Sequence, residues 1–468
     1  MAEQYDVIIV GAGQAGSPLA TAFAGAGRNT ALIEREHAGG TCINEGCTPT
    51  KTMVASGRVA YLARRAGDYG VQTGPIHVDM TKVRARKRDI VTSWHAGSER
   101  RVTGVEHLTY LRGEARFTAP KTLTVTLPDG GTREMTAETI VLNVGARPAA
   151  PPLDGLDRVP YLNSTTVMEL GVVPDHLLVL GGGYIGVEFG QLFRRLGSRV
   201  TIIQHGAHLL PKEDPDVSEA VAGIFREDGS ELLLQTKVTS AAPGPTNDAA
   251  NSITLTVETP DGTHTISGSH LLVAVGRTPN SDSLNLAAAG ITADKRGNVT
   301  VNKRLETNVP GIYAVGDMNG GPAFTHISYD DFRILRTNLI EGGHATTANR
   351  LVPQTVFMDP QLGRVGMSET DAKHAGQTYK VAKMPMSHVA RASEVDETRG
   401  FMKALVDPAT GQILGCAILG IEGGEMMAMV QIAMMGKLPY TTLENAVFAH
   451  PTLAESLNNL WGFLQDPE

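Results

Sequence analysis

One pattern occurs twice in this chain and strongly constrains its fold: an apolar strand, a glycine-rich turn, a helix and a second strand. The first copy carries Gly11–Gly16 directly after its first strand, and the second carries Gly181–Gly186 at the same place. In both copies a polar residue ends the second strand 23 positions past the first glycine, Glu34 in one and Gln204 in the other. A dinucleotide-binding turn requires this context. We therefore predict an α/β protein with two Rossmann-like units and two nucleotide cofactors.

The residue types in each unit indicate how it would bind its cofactor. The glycines allow a tight turn and a close approach of the pyrophosphate, and the helix N-terminus holds the phosphates. Glu34 would accept a hydrogen bond from a ribose hydroxyl. Gln204, with His205 beside it, carries no negative charge to repel a 2′-phosphate, so the second unit permits NADPH. No arginine is placed to bind that phosphate, so NADH remains an alternative cofactor for the second unit.

Two of the three cysteines, Cys42 and Cys47, lie five positions apart. A regular helix would separate such positions by about 7.5 Å along its axis, whereas a disulfide needs Cα atoms roughly 4.4–6.8 Å apart. The stretch is therefore not plain helix if the pair is to bond. Gly46 allows a bend, and Thr48-Pro49 is predicted as the cap and first helical position. Cys47 would then lie at a helix N-terminus, where the dipole lowers a thiol pKa, and Lys51 adds positive charge one turn on. We predict a redox-active dithiol.

The length of 468 residues predicts roughly three domains. The similar segments Asn143–Pro148 and Gly276–Asn280 bracket the second repeat, so the second unit looks inserted into the first domain. Beyond about residue 346 the composition changes to strands and then helices. The predicted boundaries are 1–149 and 273–345 for the first nucleotide-binding domain, 150–272 for the second, and 346–468 for a C-terminal α+β domain.

The composition argues against several classes of partner. The net charge of -8 gives no support for nucleic acid or an anionic membrane as a partner. No apolar run approaches the ~18–20 residues that a transmembrane helix needs, and a strand-like run begins within the first few residues, without a signal peptide. Three cysteines do not make a secreted disulfide framework. We predict a cytoplasmic protein.

Four other sequence features are predicted to have structural rather than functional roles. The basic run Lys82–Arg88 is predicted as a solvated helix face rather than a nucleic-acid patch. The methionines of residues 426–435 are predicted to pack in a buried helix or an interface rather than to bind metal. Cys416, in an apolar strand, is predicted to be a buried hydrophobe, and Ala241–Ser252 the tip of a hairpin. No resident metal site is predicted.

Two further motifs each contain an acidic residue. The strand that ends in Gly316-Asp317 places a carboxylate at a glycine turn, which suits a hydrogen bond to a cofactor polyol. Near the C-terminus, His450 precedes a predicted terminal helix with an apolar stripe, and Glu455 lies one turn on. A carboxylate that orients an imidazole makes a proton donor and acceptor suited to thiol chemistry.

Together these motifs resemble the flavin-dependent pyridine nucleotide–disulfide oxidoreductases, which include dihydrolipoyl dehydrogenase, glutathione reductase and mercuric reductase. The resemblance covers essentially the whole chain. It implies an FAD domain, an inserted NAD(P)H domain and a C-terminal dimerisation domain. It also implies a homodimer in which the histidine comes from the partner subunit, so that the active site is shared across the interface.

The resemblance also implies residue roles. Cys47 would be the charge-transfer thiol against the flavin and Cys42 the interchange thiol, while His450 shuttles the proton. Lys51 would pair with Glu188 near the flavin, and Tyr184 would gate the nicotinamide pocket. The implied catalytic set is Cys42, Cys47, His450, Glu455, Lys51 and Glu188. The implied cofactor-binding set is Gly11, Gly13, Gly16, Glu34, Gly40, Thr41, Lys51, Gly145, Asp317, Gly181, Gly183, Tyr184, Gly186, Gln204, His205, Gly276 and Arg277.

The substrate is left open between a disulfide or thiol and a metal ion. The chain lacks the C-terminal cysteine pair and the cysteine-rich N-terminal domain of familiar mercuric reductases, which argues against mercury detoxification. Its motifs are similar to the mercuric-reductase-like branch that includes the bacterial copper(II) reductase, and Glu45, between the two thiols, could attract a cation. The enzymatic alternative is dihydrolipoyl dehydrogenase, and the alternative of another class is a soft-metal-binding flavoprotein without turnover.

Overall fold

The computed structural model describes residues 2–244 and 252–467. The chain divides into two compact units. The first contains Met1–Thr52, Lys82–Ala149 and Gly276–Arg350, and the second contains Met53–Thr81, Ala150–Val275 and Leu351–Glu468. The predicted division into three domains, with its boundaries, stays a prediction.

The first unit is built on a mixed sheet of seven strands. The parallel strands of this sheet contain continuous apolar runs such as Val7–Val10, which is buried. Such runs are typical of a parallel sheet, because helices cover both of its faces. An antiparallel hairpin extends one edge. The strands, in sheet order, are Leu108–Arg112, Thr30–Glu34, Glu3–Val10, Thr132–Leu142, Thr122–Thr126 and Glu114–Ala119, and Ile312–Ala314 also pairs with Thr132–Leu142.

Helices and short 3₁₀ turns connect the strands of the first unit. Gly16–Gly25 follows the first glycine turn, so its N-terminal end meets the carboxyl end of the strand Glu3–Val10. The α-helices that begin in this unit are Gly16–Gly25, Gly40–Asn44, Cys47–Arg64 and Thr325–Leu339. Cys47–Arg64 continues into the second unit, and Met80–Val102 begins in the second unit and continues into the first. Short 3₁₀ turns of the first unit are Asp282–Leu284, Leu286–Ala289 and Gly316–Asn319, whereas Ala66–Tyr69 belongs to the second unit.

A two-stranded antiparallel sheet marks the place where the chain leaves and re-enters the first unit. Ala146–Pro148 pairs there with Arg277–Pro279. These strands belong to the two similar segments that bracket the second repeat in the sequence. Their pairing joins the two ends of the inserted segment.

The second repeat forms a five-stranded parallel sheet in the second unit. Its strands, in order, are Glu231–Leu233, Arg199–Ile203, His176–Leu180, His270–Val273 and Tyr161–Leu162, and its helices are Tyr184–Leu196 and Pro215–Glu227, with 3₁₀ turns at Leu156–Arg158 and Thr166–Glu169. An antiparallel sheet of Lys237–Pro243, Ile253–Thr259 and Gly262–Gly268 accompanies it. The first two of these strands form a hairpin, and most of its predicted tip, residues 245–251, lies outside the described residues.

The C-terminal part of the second unit contains a six-stranded antiparallel sheet. Its strands, in order, are Gln354–Val356, Gln361–Gly366, Ile413–Gly420, Phe401–Val406, Lys380–Pro385 and Leu464–Gln465. Helices Glu369–Ala375, Ala390–Glu394, Gly423–Met435, Tyr440–Glu444 and Ser456–Asn459 accompany it, with 3₁₀ turns at Met386–His388 and Leu460–Phe463. Met426 and Met427 are buried in its core with Cys416, as packing residues.

Two local predictions were wrong. Thr48 does not cap the helix after the cysteines, because that helix already begins at Cys47. The terminal segment does not form one long helix: it is a short α-helix, a 3₁₀ turn and the strand Leu464–Gln465. The Asn458 side chain donates to carbonyls of Leu443 and Ala446, and pairing of Leu464 with Ala382 draws the chain into the sheet instead.

Candidate active site

The two cysteines lie at a break between two helices. Cys42 belongs to the short helix Gly40–Asn44, and Cys47 begins the helix Cys47–Arg64. A Cβ at Gly46 would lie 2.9 Å from the carbonyl oxygen of Thr41, so the bend requires the small residue found there. The predicted bent helix entry is confirmed.

The two thiols are hydrogen-bonded to each other. This hydrogen bond and burial raise the pKa of the Cys42 thiol, and the nearby hydroxyl of Thr325 acts in the opposite direction. Cys47 is the exposed member of the pair and Cys42 is half-buried. Two cysteines in such contact can close into a disulfide and open again.

A hydroxyl that the sequence did not single out lies beside this pair. Thr325 Oγ1 is 3.3 Å from Cys47 Sγ, although the two residues are 278 positions apart. Thr325 is the first residue of the helix Thr325–Leu339. Cys47 therefore lies at the N-terminus of its own helix and contacts the N-terminal residue of another, and both helix ends favour negative charge.

The first glycine turn leaves no room for side chains. A Cβ at Gly11 would lie 2.3 Å from the carbonyl oxygen of Asn143, and one at Gly16 would lie 2.0 Å from that of Gly11. Gly40 packs on this turn, since its Cβ would lie 2.8 Å from the Cα of Gly13. Such a turn lets a pyrophosphate approach the backbone closely.

Glu34 is held at the edge of this turn. Its carboxylate accepts a hydrogen bond from the backbone N–H of Ala12 at 2.8 Å and another from Glu36 at 2.7 Å. Both oxygens are thereby oriented next to the glycine turn, and carboxylate lone pairs remain available for a ribose hydroxyl.

We use the name flavin cradle for the residues that would hold FAD: the glycine turn Gly11–Gly16 with Glu34 at one end, and Asp317 with Arg277 at the other. Arg277 Nε lies 3.7 Å from Asp317 Oδ2, and the guanidinium also donates to the carbonyl of Ala146. Burial raises the pKa of Asp317, and the Arg277 charge opposes that shift. Arg277 Nε is buried without a hydrogen-bond partner among the described residues. A ligand oxygen would satisfy this donor, so these residues fit a flavin dinucleotide that runs from the glycine turn to Asp317.

The second glycine turn repeats the first. A Cβ at Gly181 would lie 2.5 Å from the carbonyl oxygen of Ala274, and one at Gly186 would lie 1.9 Å from that of Gly181. Gly183 precedes the helix as its N-cap. The side-chain Oε1 of Gln204 accepts a hydrogen bond from the N–H of Gly182 at 2.9 Å. His205, next to it, is exposed.

Tyr184 begins the helix of the second repeat and is anchored through its hydroxyl group. Tyr184 OH lies 2.6 Å from Gln354 Oε1 and 3.2 Å from Glu213 Oε1. Burial raises the pKa of the Tyr184 phenol and of the Glu213 carboxyl. Neither Gln354 nor Glu213 was predicted, since nothing in the local sequence links them to the glycine turn.

His450 and Glu455 form the predicted pair. Nδ1 of His450 lies 2.9 Å from both carboxylate oxygens of Glu455. The carboxylate therefore orients the imidazole and leaves Nε2 for another partner. The His450 side chain is 68% exposed.

The predicted pair of Lys51 and Glu188 is divided between the two units. Lys51 lies on the helix Cys47–Arg64, one turn after Cys47. Glu188 is buried on the helix Tyr184–Leu196, where Oε1 accepts from the N–H of Phe357 at 2.9 Å. Their contact stays a prediction.

One group of carboxylates has the spacing of a metal site. Asp214, Asp216 and Glu369 bring their oxygens together, but the buried ammonium of Lys403 lies among them. Lys403 Nζ is 3.0 Å from Asp214, 2.9 Å from Asp216 and 2.5 Å from Glu369. The group is therefore an internal ion-pair cluster.

Two protein-family models match this chain. Residues 5–331 match the model of the pyridine nucleotide-disulphide oxidoreductases, and residues 352–460 match the dimerisation domain of the same enzymes. This chain belongs to the pyridine nucleotide-disulphide oxidoreductase family. Its members use FAD and NAD(P)H, so this oxidoreductase is a flavoenzyme with two nucleotide cofactors.

Several relatives cover nearly the whole oxidoreductase. The probable pyridine nucleotide-disulfide oxidoreductase RclA of Escherichia coli is 36% identical over 99% of this chain and 100% of its own length. A mercuric reductase of Streptomyces lividans is 32% identical over 97% and 94%, and mitochondrial dihydrolipoyl dehydrogenase 1 of Arabidopsis thaliana is 30% identical over 97% and 89%. The solved structure of a Cu(II) complex of the HOCl-induced flavoprotein disulfide reductase RclA from Escherichia coli has a TM-score of 0.89 at 36% identity and covers 99% of each chain.

These findings confirm the predicted family, the α/β class with a C-terminal dimerisation domain, and the cofactors. Within residues 2–244 and 252–467, no helix combines the length and apolar character that crossing a bilayer requires.

Proposed function

We propose that this oxidoreductase transfers electrons from NAD(P)H, through FAD and the Cys42–Cys47 pair, to a small-molecule disulfide. The observation that carries the proposal is the contact between the two thiols at the start of a helix, in a chain with two dinucleotide cradles. Bound FAD supplies hydride acceptance and two-electron transfer to the cysteine pair.

The cysteine pair would carry the thiol chemistry. Cys42 loses its proton and attacks one sulfur of the substrate disulfide, and the first product thiolate leaves. Cys47 then attacks Cys42 Sγ, which releases the second product thiolate and closes the Cys42–Cys47 disulfide. Two electrons pass from the dithiol to the substrate, and the two thiol protons end on the products.

His450 would take and return the proton at Nε2. Glu455 holds Nδ1 at 2.9 Å, which fixes the tautomer that leaves Nε2 able to accept a proton. A base is needed because the pKa of the Cys42 thiol is raised. General acid–base help of this kind contributes about 10²–10⁴-fold to a rate.

We propose that the working form is a homodimer whose active sites each take His450 from the partner subunit. The C-terminal part matches a dimerisation domain, and it exposes large apolar side chains on one helix and a following loop: Ile432 (69%), Met435 (67%) and Val447 (101%). Large apolar side chains that are this exposed favour association with another protein surface.

A second candidate substrate is Cu(II). A structural relative is a Cu(II) complex, and Glu45 stands between the two cysteines of this chain. Two cupric ions would each take one electron, so that two Cu(I) ions, one cysteine disulfide and two protons result. Sulfur ligands favour the soft Cu(I) state over Cu(II), so binding at the cysteines would favour reduction of the ion before the disulfide closes.

A substrate panel tests the proposal. Anaerobic enzyme receives NADPH or NADH with glutathione disulfide, lipoamide, bacterial low-molecular-weight disulfides, Cu(II) or Hg(II), and nicotinamide oxidation is followed. Turnover of a disulfide supports the proposal, and turnover of Cu(II) alone supports the second candidate. Fast oxidation of dihydrolipoamide with NAD⁺ would favour dihydrolipoyl dehydrogenase, and stoichiometric metal uptake without turnover would favour a metal-binding flavoprotein.

A further inference from the structure

Asn143 lies where the strand Thr132–Leu142 ends, and its side chain makes two long-range hydrogen bonds. Oδ1 accepts from the backbone N–H of Gly16 at 2.9 Å, 127 positions away in the chain. Nδ2 donates to the carbonyl oxygen of Val315 at 3.2 Å, 172 positions away. Asn143 is buried, so both bonds are shielded from water.

The two partners belong to the two segments that hold the cofactor. Gly16 is the first residue of the helix after the first glycine turn, and Val315 precedes Gly316 and Asp317. The carboxamide also sets the space beside both segments. A Cβ at Gly13 would lie 2.8 Å from Asn143 Oδ1, and a Cβ at Gly316 would lie 3.1 Å from Asn143 Nδ2.

The second repeat supplies an internal comparison. Leu142 pairs with Val10 in the first repeat, and Val273 pairs with Leu180 in the second, so Asn143 and Ala274 occupy the same place. The backbone bonds also match: Asn143 N–H donates to Val10 at 2.7 Å, and Ala274 N–H donates to Leu180 at 2.8 Å.

Alanine at position 274 offers no side-chain amide, yet the second repeat forms the same strand, glycine turn and helix. The carboxamide of Asn143 is therefore not required to build this local fold. Its two bonds instead connect Gly16 and Val315, which lie far apart in the chain.

We propose that Asn143 is a positioning residue for FAD. Its carboxamide joins the glycine turn Gly11–Gly16, which binds the pyrophosphate, to Val315–Asp317, which binds the polyol, and so holds both ends of the flavin cradle in register. The inference rests on the use of FAD by this family and is independent of the substrate. A preorganised cradle loses less entropy when the cofactor binds, and the bound cofactor leaves more slowly.

The test compares FAD retention in holoenzyme variants. Asn143→Ala introduces the residue type that the second repeat has at this place, Ala274. Asn338→Ala is the control, since it removes another side-chain amide. Asn338 Nδ2 donates to the carbonyl of Ala345 at 2.8 Å in the same unit, and neither residue belongs to the flavin-binding segments. The rate of FAD release is followed by the rise of flavin fluorescence on dilution, and rebinding is titrated into each apoprotein.

We expect Asn143→Ala to release FAD about tenfold faster or more and to rebind it correspondingly more weakly, while Asn338→Ala matches the wild type. The NADPH dissociation constant should stay close to wild type in both variants. The apoprotein unfolding midpoint of each variant is measured as well, because Asn143→Ala also leaves the buried Gly16 N–H and Val315 carbonyl without their partner. Equal FAD release in the two variants, or a loss that only parallels a lower apoprotein unfolding midpoint, would overturn the inference. A wild-type protein that binds no FAD would instead overturn the flavoenzyme assignment and this inference together.

Discussion

Gln204 accepts a hydrogen bond through its side-chain Oε1 from the backbone N–H of Gly182 at 2.9 Å. Glu34 makes the same bond in the first repeat, to Ala12 at 2.8 Å. The amide differs from the carboxylate in that its other atom is a donor without charge. The second repeat therefore presents an N–H group where the first presents a negative oxygen.

Replacing Gln204→Glu should shift the cofactor preference toward NADH. The new carboxylate repels a 2′-phosphate and accepts from a 2′-hydroxyl, so the ratio of kcat/KM for NADPH to that for NADH should fall about tenfold or more. Steady-state kinetics with both cofactors measure this ratio. The reverse change in the first repeat, Glu34→Gln, should weaken FAD retention and leave the ratio unchanged. An unaltered ratio in Gln204→Glu would contradict the role of this position.

Cys42→Ser and Cys47→Ser should each lower disulfide reduction on the order of 10³-fold or more, because the two sulfurs act as one unit. In an anaerobic NADPH titration, the long-wavelength thiolate-to-flavin band should be absent from Cys47→Ser. Cys416→Ser is the control, since that cysteine is buried in the core of the C-terminal sheet and should leave the band intact. A Cys47→Ser enzyme that keeps the band would contradict the assignment of the charge-transfer thiol.

His450→Gln should lower turnover at neutral pH by about 10²-fold or more and move the pH profile to higher pH. The hydrogen bond that the Cys42 thiol donates to Cys47 and the burial of Cys42 raise the pKa of Cys42, so this thiol ionises only at high pH once its base is lost. Glu455→Gln keeps the imidazole but weakens its orientation, and we expect an intermediate effect. Rates across pH measure both, and an unshifted profile for His450→Gln would count against its role as base.

Mixing inactive subunits tests the shared site. Cys42→Ser and His450→Gln subunits, each nearly inactive alone, should regain part of the activity when they are co-expressed, because the hybrid dimer contains one site with both wild-type residues. Light scattering gives the oligomeric state in parallel. A monomer, or a dimer whose mixed form stays inactive, would show that His450 does not act across the interface.

Asp214 should contribute to acid stability. Burial acts against ionisation, but the N–H groups of Thr370 and Glu369 and the ammonium of Lys403 together lower the pKa of Asp214 to about 2. Because the folded-state pKa lies below the unfolded value of about 3.9, the ionised carboxylate contributes about 2 kcal/mol above pH ~4, which is lost as pH falls toward 2.

Asp214→Asn should therefore lower the free energy of unfolding at neutral pH by about 2 kcal/mol and flatten its fall between pH ~4 and 2. Urea unfolding at several pH values measures both effects. Asp261→Asn, at an exposed carboxylate, is the control and should unfold like the wild type. An equal slope in Asp214→Asn and wild type would contradict the assigned linkage.

The sequence by itself determined the motifs whose geometry is local. Gly16 is needed because the turn brings the carbonyl oxygen of Gly11 against it, and a bend at Gly46 is needed because a helix cannot bring Cys42 to Cys47. Both requirements act within a few residues, and both could be read from residue type and spacing. The pair of His450 and Glu455 is equally local.

Only the tertiary structure decided which distant residues complete these motifs. Thr325 reaches Cys47 across 278 positions, and Gln354 reaches Tyr184 across 170. Asn143 connects Gly16 to Val315 because parallel strands place their carboxyl ends at one edge of the sheet. A single threonine, glutamine or asparagine has no spacing signal of its own, since its role arises when the sheet brings its partners within hydrogen-bond distance.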